Sequence, residues 1–247
     1  MAHQLPRIIA HRGSPKLAPE NTLASFRRAA LDGAKWVEFD ASLTADSRVV
    51  VFHDDDLDRT SDGSGPLAQT PFDVIASLDA GAWFGRQFAG ELIPTLEEAI
   101  ELFAELGLGF NMELKVDPGR EVELATVALP IAASCWGDHA PLPLVSSFSR
   151  QALAAAKEIL PAWPRAFLFD YLPDDWRDIA QTLGVVSLNG NQRHLDAQQV
   201  EAMKSAGYGV LAYTVNERQR AEALFEWGVD GVFTDIPGEM LKAFPEF

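Results

Sequence analysis

Cysteine, basic residues and long apolar runs are all scarce in this sequence of 247 residues. The lone Cys135 excludes a disulfide framework and a thiolate zinc cluster, because each needs several cysteines. The 20 Lys and Arg residues stand against 36 Asp and Glu residues, which gives a formal net charge of −16 without any basic segment. This balance argues against binding to nucleic acids or to anionic membrane surfaces, since both need clustered positive charge.

Uncharged stretches are also short. One of the longest covers residues 124–137 and contains Pro130, and it falls below the roughly 18 apolar residues that indicate a membrane span. The first residues of the chain lack the basic and then apolar order of a secretory leader. We therefore expect a cytoplasmic protein with no nucleic-acid partner and no membrane span. The sequence leaves its oligomeric state open between monomer and homodimer.

Short apolar runs alternate along the chain with segments of helical periodicity. The runs cover residues 8–10, 36–40, 110–115, 144–148, 166–170, 185–188, 210–215 and 231–234. Capping-box spacing marks helix starts at Thr95, Asp196 and Asn216. About eight strand–helix repeats predict a parallel sheet of the α/β class, most economically a closed (β/α)₈ TIM barrel. The alternative is an open doubly wound sheet, but no Gly-x-Gly-x-x-Gly turn follows the first run.

One segment breaks this alternation. Residues 49–53 are predicted to return as a hairpin strand beside the second run, and about forty irregular residues follow before the helix at Thr95. So long a stretch without structure is unusual inside a compact domain. We therefore predict a small inserted subdomain at about residues 54–93, after the second barrel strand. No linker or low-complexity tract is present, so residues 1–247 are expected to form a single domain.

Polar side chains gather at the carboxyl ends of the predicted strands, where TIM-barrel active sites lie. Alternation along a strand places Glu38 and Asp40 on one face, and it places Glu113 and Lys115 together on another strand. Each carboxylate taken singly also fits a helix cap or a salt bridge. Three carboxylates at one barrel mouth would repel one another unless they were protonated or bound to metal. Oxygen ligands favour Mg²⁺, Ca²⁺ or Mn²⁺ over zinc.

Histidines and cations lie in the same predicted region. His11 and Arg12 end the first strand, and His53 ends the hairpin return. Positive side chains such as Arg12 and Lys115 can hold a phosphate group. Cleavage of a phosphodiester needs one group that removes a proton and one that supplies it, and histidine suits both tasks near neutral pH.

With these residues the sequence closely resembles the glycerophosphodiester phosphodiesterases, in particular their bacterial cytosolic members, over essentially the whole chain. The matching motifs are His11-Arg12-Gly13, Pro19-Glu20-Asn21-Thr22, Glu38-Phe39-Asp40, Phe52-His53-Asp54, Gly63-Ser64-Gly65, Pro94-Thr95-Leu96-Glu97-Glu98, Asn111-Met112-Glu113-Leu114-Lys115, Ser146-Ser147-Phe148, Thr214-Val215-Asn216 and the segment 230–235. So many matches in this order make the resemblance highly specific.

The resemblance implies roles for individual residues. It implies that His11 and His53 are the general acid and base, and that one divalent cation, Mg²⁺ or Ca²⁺ with Mn²⁺ possible, is the cofactor. The implied metal ligands are Glu38, Asp40 and Glu113, and the implied substrate-binding residues are Arg12, Lys115, Glu20, Phe148 and Tyr213. Many relatives carry Trp where Tyr213 stands, at a position near the glycerol moiety.

The implied reaction converts a small-molecule glycerophosphodiester into sn-glycerol 3-phosphate and an alcohol such as choline or ethanolamine. In such enzymes a neighbouring glycerol hydroxyl is a candidate internal nucleophile. A lysophospholipase D-type diesterase that acts on lysophospholipids is the alternative, and it would need an apolar rim for an acyl chain. A phosphodiester-binding module without activity is a third reading, against which the intact set of site residues argues.

Overall fold

The computed structural model describes residues 6–245, so the first five residues, on which part of the expectation about a leader rests, lie outside the described part. Its strands are β1 (Ile8–His11), β2 (Trp36–Leu43), β3 (Val49–Val51), β4 (Gly109–Leu114), β5 (Leu144–Ser147), β6 (Arg165–Phe169), β7 (Ser187–Asn191), β8 (Gly209–Tyr213) and β9 (Gly231–Thr234). All except β3 are parallel, and β1 pairs with both β2 and β9. The strands therefore close into a (β/α)₈ barrel, as predicted, and the open-sheet alternative is wrong.

The helices follow the strands in the expected alternation. They are α1 (Leu23–Leu31), α2 (Phe72–Ile75), α3 (Leu96–Leu106), α4 (Glu121–Trp136), α5 (Arg150–Ile159), α6 (Trp176–Leu183), α7 (Ala197–Ser205), α8 (Arg218–Glu226) and α9 (Pro237–Ala243). Within residues 6–245, none of them is both long and apolar enough to cross a bilayer.

Two of the three predicted helix caps are confirmed. Thr95 and Asp196 each form a complete capping box at the start of α3 and α7. The prediction for Asn216 is wrong, because α8 begins after Glu217 and its cap makes no side-chain hydrogen bond. The amide of Asn216 instead bonds with Asp235, both to its carboxylate and to its backbone N–H. The Asn216 side chain therefore makes a tertiary contact and does not form the cap of α8 that its spacing had predicted.

The core has an outer and an inner part. Outside the barrel, aromatic rings fill the space between strands and helices, with Phe26 and Phe103 at a centroid distance of 4.8 Å. Inside the barrel, Trp36 packs against a smaller apolar cluster. Gly109 on the neighbouring strand leaves room for this indole, since a Cβ there would lie 2.6 Å from Trp36 Cε2. This packing fills the barrel interior and leaves the polar side chains at its carboxyl end.

The predicted interruption after β2 is present. β3 runs antiparallel to β2 and ends at Val51, two residues earlier than predicted. The following segment contains single-turn 3₁₀ helices at Leu67–Gln69 and Arg86–Phe88 besides α2. Together with Val50 of β3, it buries a separate cluster made of Phe52, Leu57, Leu67, Ile75, Ala80 and Ile93. The single domain over residues 1–247 stays a prediction.

Candidate active site

Three carboxylates meet at the barrel mouth. Glu38 and Asp40 project from β2 and Glu113 from β4, where Asp40 and Glu113 are in register. One oxygen of each lies within 4.8 Å of the others. Burial, together with repulsion from neighbouring carboxylates, raises the pKa of Glu38 well above its usual value and that of Glu113 to about 7. Burial acts in the same direction on Asp40, but Arg12 holds its pKa below the usual value.

This cluster fits a cation. Within residues 6–245, the buried oxygens Asp40 Oδ1 and Asn111 Oδ1 find no hydrogen-bond partner, although such atoms are normally satisfied. Asn111 lies opposite Glu38 in the sheet register and lines the same cavity as Glu38 and Glu113. Oxygen donors in this number suit a hard divalent ion, so the cluster can bind a metal.

His11, predicted as a catalytic residue, lies on one side of the carboxylates. Its Nε2 is 4.0 Å from Glu38 Oε2. Its Nδ1 lies 2.7 Å from Asp235 Oδ1, and Asn216 Nδ2 donates to Asp235 Oδ2 at 2.6 Å. Because Asp235 engages Nδ1, Nε2 is the ring nitrogen that faces the cluster of Glu38, Asp40 and Glu113.

His53, the other predicted catalytic histidine, lies just beyond the end of β3. Its Nδ1 is 2.6 Å from Asp54 Oδ1, and its Nε2 is 3.3 Å from Lys115 Nζ. Burial lowers the pKa of His53, and the charges of Arg12 and Lys115 lower it further against the opposing effect of Asp40 and Asp54. A neutral ring, with its Nε2 lone pair directed at the Lys115 ammonium, is therefore favoured near neutral pH.

Arg12 connects several of these groups. Its Nε lies 3.1 Å from Asp40 Oδ2, and its backbone N–H donates to Glu38 Oε2 at 3.1 Å. Its Nη1 donates to Glu20 Oε1 at 2.8 Å. Glu20, predicted as a substrate-binding residue, thus contacts the Arg12 guanidinium, and it is not among the described residues that line the cavity. Glu20 also accepts two hydrogen bonds from Arg59, a residue that was not predicted as part of the site.

A cavity of about 490 Å³ opens over the cluster. Its lining includes His11, Arg12, Glu38, His53, Glu113, Lys115, Phe148 and Tyr213, so the structure brings eight of the ten predicted site residues to one surface. The other two, Asp40 and Glu20, lie directly behind Arg12. Phe148 is 46% exposed at the rim, and its ring centroid is 5.9 Å from that of Tyr213.

One wall of this cavity was not predicted from the sequence. Asn191, Gln192 and Arg193 line it, but the predicted strand stopped at residue 188, whereas β7 extends to Asn191. Asn and Gly have low strand propensity, which explains the early end of the prediction. The alternation of residues after Leu188 was the available signal, since Asn189 and Asn191 share one face of the strand.

A TIM barrel with carboxylates, imidazoles and positive side chains around one cavity at the carboxyl ends of its strands has the groups that an enzyme hydrolysing phosphoric esters needs. Residues 11–239 match the Glycerophosphoryl diester phosphodiesterase family. The chain therefore belongs to this family of hydrolases, and the resemblance in its motifs is confirmed.

Individual relatives agree with this assignment. The glycerophosphodiester phosphodiesterase of Caldanaerobacter subterraneus subsp. tengcongensis is 35% identical over 240 residues, which cover 95% of this chain and 96% of the relative. The structure of an Oleispira antarctica phosphodiesterase in complex with the product sn-glycerol-3-phosphate is similar, with a TM-score of 0.92 and 41% identity over 98% of each chain. A putative glycerophosphoryl diester phosphodiesterase from Silicibacter pomeroyi has a TM-score of 0.85 and 25% identity, over 98% of this chain and 93% of that one.

Proposed function

We propose that this protein hydrolyses glycerophosphodiesters, such as glycerophosphocholine and glycerophosphoethanolamine, to sn-glycerol 3-phosphate and an alcohol. One observation carries the proposal: the imidazoles of His11 and His53 and the positive side chains of Arg12 and Lys115 share a single cavity with the carboxylate cluster. The product bound by the Oleispira antarctica relative supports the choice of substrate class.

Two sources of positive charge would bind the phosphate: a metal ion held by the carboxylates, and the side chains of Arg12 and Lys115. Glu38, Asp40 and Glu113 would hold one divalent ion, Mg²⁺ or Ca²⁺ with Mn²⁺ as a further candidate. Such an ion, when bound, neutralises charge on the phosphoryl oxygens. Arg12 and Lys115 line the cavity beside it and supply further positive charge for an anionic diester.

The histidines would move the protons. Each ring has its Nδ1 against a carboxylate, Asp235 for His11 and Asp54 for His53, which leaves Nε2 on the cavity side. One imidazole removes the proton of a glycerol hydroxyl as its oxygen bonds to phosphorus. The other donates a proton to the alkoxide when the bond from phosphorus to the alcohol breaks. Water then opens the cyclic phosphate with the same two groups in reversed roles.

The decisive experiment is an assay of glycerophosphocholine hydrolysis with added divalent metal and detection of glycerol 3-phosphate. We expect EDTA to abolish turnover and divalent ions to restore it. His11→Ala or His53→Ala should lower kcat by roughly 10²- to 10⁴-fold. His139→Ala is the control, because this exposed histidine packs at a tilted angle against Trp136 and is not among the residues that line the cavity.

Three results would contradict the proposal. They are turnover that survives exhaustive chelation, near-normal rates in either histidine variant, and faster cleavage of lysophosphatidylcholine than of glycerophosphocholine. The last result would favour the lysophospholipase D-type activity instead.

A further inference from the structure

We propose that Arg59 is a positioning residue: it grips the carboxylates of Glu20 and Asp54 at once and so holds Arg12 and His53 in their working positions. The inference rests on the proposed function, because it assigns Arg59 a task in that reaction. Arg59 lies in the segment inserted after β3, so it gives this insertion a part in the active site.

One edge of the guanidinium holds Asp54. Arg59 Nε donates to Asp54 Oδ2 at 2.5 Å, and Nη2 donates to Oδ1 at 2.8 Å. The same Oδ1 lies 2.6 Å from His53 Nδ1. A carboxylate fixed by two bonds cannot turn away from the ring, so Arg59 keeps the Nδ1 proton in place and Nε2 towards the cavity.

The other edge holds Glu20. Arg59 Nη1 donates to Glu20 Oε2, and Nη2 donates to Oε1, both at 2.8 Å. Glu20 Oε1 also accepts from Arg12 Nη1 at 2.8 Å. Arg12 in turn reaches Asp40, with 3.1 Å between Nε and Oδ2. A continuous chain of charged contacts therefore runs from His53 to the carboxylate cluster, and Arg59 is its central member.

Both carboxylates stay ionised in this arrangement. Burial would raise the pKa of Glu20, but hydrogen bonds and charge from Arg59 and Arg12 lower it below the usual value. The Arg59 hydrogen bond holds the pKa of Asp54 far below its usual range. The planar fork of a guanidinium can serve two carboxylates at once, whereas a lysine ammonium acts as a point charge.

The location of Arg59 argues for positioning rather than for stability. Its side chain is 47% exposed, and exposed ion pairs contribute little to folding. The backbone around it is nevertheless fixed, because Leu57, Thr60 and Ser61 are buried and Ser61 Oγ donates to the Leu57 carbonyl at 2.7 Å. A long side chain on an anchored loop reaches the two carboxylates with little freedom.

The kinetic test separates the two edges. Asp54→Asn should mainly lower kcat, since it acts through His53, and Glu20→Gln should mainly raise KM, since it acts through Arg12. Arg59→Met should do both, each by roughly 10- to 100-fold, and Arg59→Lys should recover only part of the loss. Arg150→Met is the matched control, because Arg150 forms an exposed two-bond pair with Asp175 outside the cavity lining.

A spectroscopic measurement tests the same inference without turnover. In ¹⁵N NMR of the histidine rings above their titration range, His53 should carry its proton on Nδ1 in the wild type and in Arg150→Met. It should become a mixture of tautomers in Arg59→Met, with His53→Gln used to assign the signal. If Arg59→Met does not fold, Arg59→Lys is measured in its place, and loss of the single tautomer is again expected.

The two proposals fail in different ways. The positioning role would be overturned if Arg59→Met had the same kcat, KM and His53 tautomer as Arg150→Met. The proposed function would survive that result as long as His53→Gln still abolished turnover. Near-normal turnover in His53→Gln would instead overturn the acid–base assignment on which the proposed function depends.

Discussion

His11 Nδ1 lies 2.7 Å from Asp235 Oδ1, although the two residues are 224 positions apart in the sequence. The contact exists because β1 and β9 are neighbours in the closed barrel, with Ala10 opposite Thr234. Asp235 is itself held at both ends by Asn216, through its carboxylate and its backbone N–H. The closure of the barrel therefore orients a histidine of the proposed reaction.

Asp235→Asn is predicted to lower kcat for glycerophosphocholine by roughly 10- to 100-fold with little change in KM, because partners that orient a functional histidine have effects of this size. An amide in place of the carboxylate no longer fixes the Nδ1 proton of His11. Steady-state kinetics measure the effect, and Asp175→Asn, which removes an exposed partner of Arg150, provides the control. A kcat equal to that of the control would show that this contact does not matter for the reaction.

The contact also shows what sequence alone can and cannot predict. The common face of Glu38 and Asp40 follows from the period of a strand, and that prediction agrees with the cluster. No period reports that Asp235 meets His11, since the contact depends on which strands close the barrel. Asn216 illustrates the same limit, because its spacing fits a cap while its tertiary partner lies 19 positions away.

Arg59 was missed for a related reason. The sequence places it in an irregular, Asp-rich segment where side-chain direction has no periodicity to follow. Its role becomes visible only once the fold brings Glu20, 39 positions away, to the same guanidinium. The barrel and its inward-facing residues were thus predictable from local patterns, whereas the residues that hold them in place were not.

Glu113→Gln is predicted to change how the stability of the metal-free protein depends on pH. The folded-state pKa of Glu113, about 7, exceeds the usual value of 4.5, so the native wild type binds more protons than the unfolded chain between these values. The stabilisation that Glu113 gives to the folded wild type is present at pH 4.5 and is lost as pH rises towards 7. The variant lacks this loss, which amounts to at most about 3 kcal/mol.

Chemical denaturation at several pH values, after treatment with a chelator, measures this difference. The free energy of unfolding of the variant should increase relative to that of the wild type as pH rises from 4.5 to 7. Added Mg²⁺, Ca²⁺ or Mn²⁺ should reverse the order, because the wild type keeps the full set of three carboxylates. A difference in free energy of unfolding that stayed constant across this pH range would contradict the raised pKa of Glu113.

Arg165 is predicted to matter for stability and not for turnover. The residue is 93% buried, and its guanidinium donates to five backbone carbonyls, those of Leu160, Pro161, Trp163, Leu183 and Gly184. These carbonyls lie at and beyond the ends of α5 and α6. Arg165→Met should lower the free energy of unfolding by about 2–4 kcal/mol, since it removes the guanidinium that donates to the carbonyls of the buried residues Trp163 and Leu183.

Urea unfolding and steady-state kinetics at a temperature where both proteins are folded test this pair of expectations. Arg165 lies at the start of β6, at the end of the strand opposite to the cavity. The kcat of the variant should therefore equal that of the wild type. Arg150→Met, which removes only an exposed ion pair, should change the free energy of unfolding by less than about 0.5 kcal/mol.

Gly13→Ala is predicted to damage both folding and activity. Gly13 has a φ of +88°, and a Cβ there would lie 2.4 Å from Ser25 Oγ and 2.7 Å from the Ser25 backbone. Ser25 Oγ donates to the Arg12 carbonyl and accepts from the Ser14 N–H, both at 2.9 Å. The added methyl group would thus push α1 away from the loop that carries Arg12. Strain and overpacking together predict a loss of about 2–5 kcal/mol in the free energy of unfolding.

The matched control is Gly65→Ala. Gly65 has a similar φ of +85°, but no atom lies within 4 Å of a Cβ built there. Backbone strain alone predicts a loss of about 1–2 kcal/mol in this variant, without a change in KM. Gly13→Ala should also raise KM, because Arg12 is proposed to contact the phosphate. Equal losses of stability and an unchanged KM in both variants would show that the close contact with Ser25 does not control the position of Arg12.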